Sequence, residues 1–187
     1  MRRWLVPLAL VACRSHEPQP RERVAPPPAN TIPRATGVIA IDGEWIEPDW
    51  SARALRGQLR GDDGQLARPS SELRLLHDDR DVLVALYAAD ENIETRDAFD
   101  LTIDTLALHV SATAEVTPAT PGIRAKADYD EGTRDDPHDD DEEWVVELAI
   151  PLALVPAQHH TISASRCDTP KDGIERCGRW SGSAASE

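Results

Sequence analysis

The chain has 187 residues, room for one domain and its tails at roughly 150 residues per domain. Its 34 acidic and 20 basic side chains give a net charge of −14, which repels phosphate backbones and anionic headgroups and argues against a nucleic-acid partner. Leu, Ile, Val and Phe total 39 residues, close to the ~20% below which a charged chain tends towards disorder, so a small core must share the chain with unstructured sequence. No apolar run reaches the ~18 residues of a membrane-spanning helix.

In chain order, Met1-Arg2-Arg3 and the apolar stretch Trp4 to Ala12 read as an export signal, too short to serve as an anchor. It ends in Leu10-Val11-Ala12-Cys13, which resembles the lipobox of bacterial lipoproteins. That resemblance implies cleavage after Ala12 and lipid on Cys13. It thus implies a place in the bacterial cell envelope, with Arg14 rather than Asp as the next residue pointing to the outer membrane. The alternative is an ordinary cleaved signal followed by a stray cysteine. Residues 13–36 carry Pro18, Pro20, Pro26, Pro27, Pro28 and Pro33 and read as a disordered, extended linker. The lipid would then be the chain's sole contact with the membrane, and the fold is expected within residues 37–187.

From Gly37 onward apolar residues recur with period two and no long helical period survives, which predicts an all-β domain. Segments Leu55–Leu59 and Leu73–His77 open the series, and Val82–Ala88, apolar on both faces, marks a central strand. Phe99, Leu101 and Ile103 alternate with Asp100, Thr102 and Asp104, and Leu106, Leu108 and Val110 follow in the same period. Gly122–Ala127, Trp144–Ile150 (stopped by Pro151) and Ile162–Cys167 complete eight to ten short strands, the pattern of an antiparallel β-sandwich. Cys167 and Cys177 bracket a turn-rich stretch between two β-like segments, and in an exported protein they are expected to form a disulfide.

Five segments in order resemble carbohydrate-binding module family 9. They are Asp42-Gly43-Glu44-Trp45-Ile46-Glu47-Pro48-Asp49-Trp50, the Leu73–His77 strand with Asp78-Asp79, the Val82–Asp90 strand, the acidic strand Asp97–Asp104, and Trp144–Pro151. The resemblance implies a jelly-roll sandwich, binding of an oligosaccharide or polysaccharide without catalysis, structural calcium, and association with glycoside hydrolases and carbohydrate catabolism. It departs from the family at both sugar-stacking rings: Glu94-Thr95-Arg96 stands where one Trp is usual, and only Gly182 to Glu187 follow the segment Arg179-Trp180-Ser181 where the second would be sought. A structural or protein-interaction lipoprotein that kept the fold and lost the sugar site is therefore the alternative function.

Sugars stack their apolar C–H face on aromatic rings, and of the tryptophans left after cleavage Trp45, Trp50 and Trp144 are expected in the packing. Trp180 and Tyr129 remain as the candidate sugar-stacking residues. No cofactor is required by the reading, and for structural calcium the resemblance leaves Asp90, Asp97 and Asp100 as candidates, with Glu91 beside them. The run Asp135 to Glu143 holds seven carboxylates in nine residues and reads as a solvated loop, with calcium binding as its functional alternative although the spacing is not that of an EF-hand. His159-His160, neighbours on a strand, point to opposite faces and are not a joint metal site. Motifs for a hydrolase elbow, a zinc helix or a phosphate loop are absent, and the domain is not expected to be an enzyme.

Overall fold

A computed structural model of the chain describes residues 31–130, 134–136, 138 and 141–186. The export signal, Cys13 and most of the linker therefore lie outside the described residues, as do Pro137, Asp139 and Asp140 of the acidic run. No helix among the described residues is long and apolar enough to cross a membrane. The structure is the β-sandwich expected from the alternation, of the jelly-roll type that the family resemblance implied. Its strands are β1 (Thr31–Ile32), β2 (Leu55–Gln58), β3 (Ser71–His77), β4 (Asp81–Ala89), β5 (Ala98–Ile103), β6 (Leu106–Ser111), β7 (Val116–Thr117), β8 (Arg124–Asp130), β9 (Glu143–Pro151), β10 (His159–Asp168) and β11 (Arg176–Ser186). They form a six-stranded sheet in the order β1-β11-β10-β5-β6-β7 and a five-stranded sheet in the order β2-β3-β4-β9-β8. Among the described strands every pairing is antiparallel except β1 with β11, and an isolated parallel bridge joins Arg34 to His77.

Alternation explains which residues meet between the sheets. Phe99, Leu101 and Ile103 of β5, Leu108 and Val110 of β6, and Ile162 and Ala164 of β10 face Leu73, Leu75, Val84, Leu86, Trp144, Val146 and Leu148 of the other sheet in one core. Phe99 and Trp144 meet edge to face, ring centres 5.3 Å apart. Ile32 belongs to this core and is fully buried, so the ordered domain takes in residues 31–36, which the sequence reading gave to the linker. Burial of that one side chain, worth about 2 kcal/mol, together with the pairing of Thr31 and Ile32 to β11, explains why a proline-rich segment becomes ordered here.

The central strands β4 and β9 are apolar on both faces, and the chain covers the second face with residues 35–54. Trp50, Leu76, Leu83, Ala85 and Ala149 form this second core, with Ala35, Ile39, Ile41, Trp45 and Ala54 packed on it. The cover contains a short α-helix, α1 (Pro48–Ala52), absent from the sequence expectation and started by a proline whose missing N–H costs nothing there. Two carboxylates pin it. Asp49 accepts from the backbone N–H groups of Thr36 and Gly37 and from the Thr36 hydroxyl. Glu147, on the outer side of β9 and wholly buried, accepts from the backbone N–H groups of Asp42 (3.1 Å) and Gly43 (3.0 Å) and from the Trp50 indole (2.8 Å). Gly43 has φ +100°, and a Cβ there would lie 2.5 Å from the Ala127 carbonyl carbon, so the chain can pass this close to β8 only as glycine. Trp45 stacks on Tyr87 with centres 4.9 Å apart and lies 3.6 Å from the Arg74 guanidinium carbon, closing the cover's other end.

Burial pushes the Glu147 carboxyl up to about 7, against its hydrogen bonds from Gly43, Asp42 and Trp50. The folded state therefore holds a proton that the unfolded chain releases near pH 4.3, and stability contributed by this group declines as pH rises from about 4.3 through 7. The midpoint of urea unfolding is expected to fall over that window, and Glu147→Gln should remove this part of the slope. The same substitution sets an amide N–H against one of the donors and should cost about 2 kcal/mol at pH 5.

Cys167 and Cys177 face each other in the β10–β11 register and form the expected disulfide across ten residues of sequence. On the chain-entropy account a loop of that size stabilises by about 3 kcal/mol. The Cys167→Ser, Cys177→Ser double variant should lose that amount in chemical denaturation, and addition of a reductant should bring the wild type to the same value.

Candidate functional site

The two sheets differ in what lies on their outer sides. The five-stranded sheet is roofed by residues 35–54, whereas the outward positions of the six-stranded sheet are exposed or half-buried among the described residues, except for Ser111 at the end of β6. Register arranges them in rows. Arg179, Ser165, Asp100, His109 and Thr117 lie side by side across β11, β10, β5, β6 and β7, and Ser181, Ser163, Thr102 and Ala107 make the next row. Only small or hydrogen-bonding groups occur in either. Asp100, 71% exposed at its side chain, pairs with the Nδ1 of His109 at 2.8 Å, and Arg179 pairs with Asp62 at 3.0 Å. Above β10 and β11 a depression of about 330 Å³ is lined by Ser163, Ser165, Arg179, Trp180 and Ser181, with the disulfide at one end. Hydroxyls that both donate and accept, a guanidinium and a carboxylate–imidazole pair are the groups that match a polyhydroxylated surface.

Trp180 and Tyr129 fall on opposite margins of the molecule. Trp180 shares the inward side of β11 with Gly178 and Ala184 and is half-buried against the core. A Cβ on Gly57 or Gly182 would lie 2.5 Å and 2.8 Å from its indole, so the ring rests on two glycines, one on each sheet. Tyr129 lies on edge strand β8, opposite Trp144 in register, 37% exposed and 5.4 Å from the Arg134 guanidinium carbon. The strand beneath Trp180, β2, is four strand spacings from β8, or about 19 Å. The two rings do not form one sugar platform. Trp50 and Trp144 are fully buried, and Trp45 is half-buried in the cover, in keeping with packing roles.

The acidic candidates divide. Asp90 and Asp97 are buried and lie with Asp168, each offering an oxygen within 4.8 Å of the others. Asp100 stands apart because its parity in β5 is opposite to that of Phe99 and Asp97, which sends it to the outer side and to His109. Asp168 carries no sequence signal of its own, since it joins the group only when β10 pairs with β5, the register Ser165 to Asp100 running on to set Asp168 beside Asp97. Burial raises the Asp97 carboxyl to about 7 and the Asp168 carboxyl to about 6. The residues do not fit a calcium ion. Arg166 Nη2 lies 2.5 Å from Asp90 Oδ2 and 3.0 Å from Asp168 Oδ1, so a guanidinium nitrogen already stands at the position two of the three carboxylates share.

His159 is exposed and His160 buried, as their alternate directions require. His160 is held through Nδ1 to Asp104 (2.8 Å) and through Nε2 to the Ser186 hydroxyl (3.1 Å). This Ser–His–Asp order has the distances of a nucleophile and its base, but the His160 side chain is wholly buried and lines none of the described cavities. It ties the β5–β6 turn to the end of β11.

No protein-family model and no curated protein sequence matches the chain. Solved structures do. A carbohydrate-binding module of family 9 from Caldicellulosiruptor kristjanssonii in complex with cellotriose superposes with a TM-score of 0.59 at 14% identity, covering 84% of this chain and 94% of that one. The same kind of module from that organism in complex with glucose gives a TM-score of 0.55 at 13% identity, covering 84% and 96%. At such identity the likeness is one of fold.

Proposed function

We propose that this domain, whose fold is that of family 9 carbohydrate-binding modules, binds a neutral oligosaccharide or polysaccharide without catalysis, held in the bacterial outer membrane by lipid on Cys13. The observation that supports this best is the free, hydroxyl-rich side of the six-stranded sheet on a fold whose solved examples hold cellotriose and glucose. The depression over β10 and β11 supplies Ser163, Ser165, Arg179 and Ser181 to sugar hydroxyls, with Trp180 packed behind it on the inward side of β11 as the nearest ring. A net charge of −14 disfavours acidic glycans, which is why the ligand is taken as neutral. Such a module on the cell surface would serve a glycan-degrading system by holding polymer near its hydrolases. One observation favours the alternative, a structural or protein-interaction lipoprotein: the Trp180 ring is committed to Gly57 and Gly182, so much of its face is spent on packing.

Titration of the protein with cello-oligosaccharides, read by tryptophan fluorescence, separates the two. Saturable quenching is expected, with Arg179→Ala weakening it about tenfold and leaving the melting temperature unchanged. Trp180→Ala should lower stability by about 2 kcal/mol through lost packing as well as reducing the response. A glycan array that gives no saturable binding to the folded wild type, with or without calcium, would favour the structural reading, and release of reducing ends would overturn both. The anchor has its own test: in a bacterial host the wild type should fractionate with membranes and Cys13→Ser should be soluble, whereas a variant that stays membrane-bound would show another anchor.

A further inference from the structure

We infer that Arg166 is the chain's own occupant of a cation site, so that Asp90, Asp97 and Asp168 hold one end of the sandwich together without calcium. The arginine sits on the inward side of β10 after Ile162 and Ala164, where alternation calls for an apolar residue, and it is 4% exposed. A charge placed there without partners would be prohibitively costly. Its Nη2 binds Asp90 and Asp168, which are 2% and 4% exposed. Asp90 also accepts from the Trp144 indole at 3.1 Å and from the backbone N–H of Asn92, and its own N–H donates to the Glu142 carbonyl. One guanidinium thus connects β10 to the end of β4 and, through Asp90 and Trp144, to the start of β9.

The fit of the fork is incomplete in a way that identifies what it stands in for. Asp168 Oδ2 and Arg166 Nε are both buried without a hydrogen-bond partner. A planar fork aims its N–H groups in fixed directions, while a spherical divalent ion gathers six to eight oxygens from any direction. Three buried carboxylates with oxygens within 4.8 Å of one another are a geometry a divalent ion satisfies and a guanidinium serves only in part. The advantage of the arginine is permanence. It is part of the chain, stays charged at any physiological pH and cannot be removed by dilution or chelation.

The test uses the full chain and its Arg166→Met variant, which keeps a long side chain and removes the charge. Wild-type melting should be the same in EDTA and in millimolar calcium. Arg166→Met should melt about 10 °C lower in EDTA, as expected when a buried pair loses one partner, and recover in calcium. Terbium, used as the calcium probe, should give luminescence sensitised by Trp144 in Arg166→Met and none in the wild type. Calcium stabilisation or terbium luminescence of the wild type that Asp97→Asn abolishes would overturn the inference. So would a folded Arg166→Met with no response to either ion. If Arg166→Met does not fold, the wild type and Asp97→Asn carry the test, since both should fold and ignore calcium.

Discussion

A carboxylate buried on the outer side of the central strand β9 governs the architecture. Glu147 sits among Leu83, Ala85 and Ala149, side chains that would otherwise form a bare apolar sheet face. An ionisable group there is tolerable only with donors brought to it, and the donors come from the segment that passes over it: two backbone N–H groups at Asp42 and Gly43 and the Trp50 indole. The same contact fixes the segment's position and register. Had β9 carried an aliphatic residue at 147, the cover would keep its apolar contacts and lose the directional constraint that sets Trp50 over Leu76 and Leu83.

Covering one sheet decides the use of the other. A chain with so few large aliphatic residues can roof one sheet, and it uses Ile39, Ile41, Trp45 and Trp50 to do so. The six-stranded sheet then needs an outer side that is stable in water, and its strands supply serine, threonine and alanine there, with charged groups in facing pairs. Small polar side chains also keep the surface low, and the depression above β10 and β11 follows from that. The solvation requirement and a hydroxyl-binding surface call for the same residues, which is why composition alone does not tell a sugar site from a merely soluble face.

What the sequence made legible follows the range of each interaction. Strands β3, β4, β5, β6, β9 and β10 are written in local alternation and lie within a residue or two of the expected segments, save that β10 begins at His159. Strand β11 is the longest, yet three of its inward positions, Gly178, Gly182 and Ala184, are too small for the period to show, and the fourth, Trp180, fills the space over Gly182 and over Gly57 of the facing sheet. Strand β1 is two residues in a proline-rich stretch and is ordered by partners far along the chain: Ala185 and Ser186 of β11, the core around Ile32, and His77 at the end of β3. The acidic candidates show both cases. Parity already separates Asp100 from Asp97, whereas Asp168 and Arg166 join the group only through the β5–β10 pairing, which no local pattern announces.

The two ends of β10 show how one strand holds charge in opposite ways. At its start His160 is held by a single carboxylate, Asp104, with the Ser186 hydroxyl bonding its other nitrogen, a balanced arrangement that leaves neither ring nitrogen unpaired. At its end one guanidinium faces three carboxylates, and the surplus is met by burial holding protons on Asp97 and Asp168 well above the usual carboxylate range. The balanced end is a fastening and has no unused valence. The unbalanced end retains a buried acceptor without a hydrogen-bond partner at Asp168 Oδ2, and its Asp90 borders a cavity of about 440 Å³ lined by both acidic and basic groups, Glu91, Glu142, Arg68 and Arg176 among them. Three carboxylates around one guanidinium are tolerable in the interior only because burial keeps protons on two of them, so this end of the strand is held by one ion pair and its neutral neighbours.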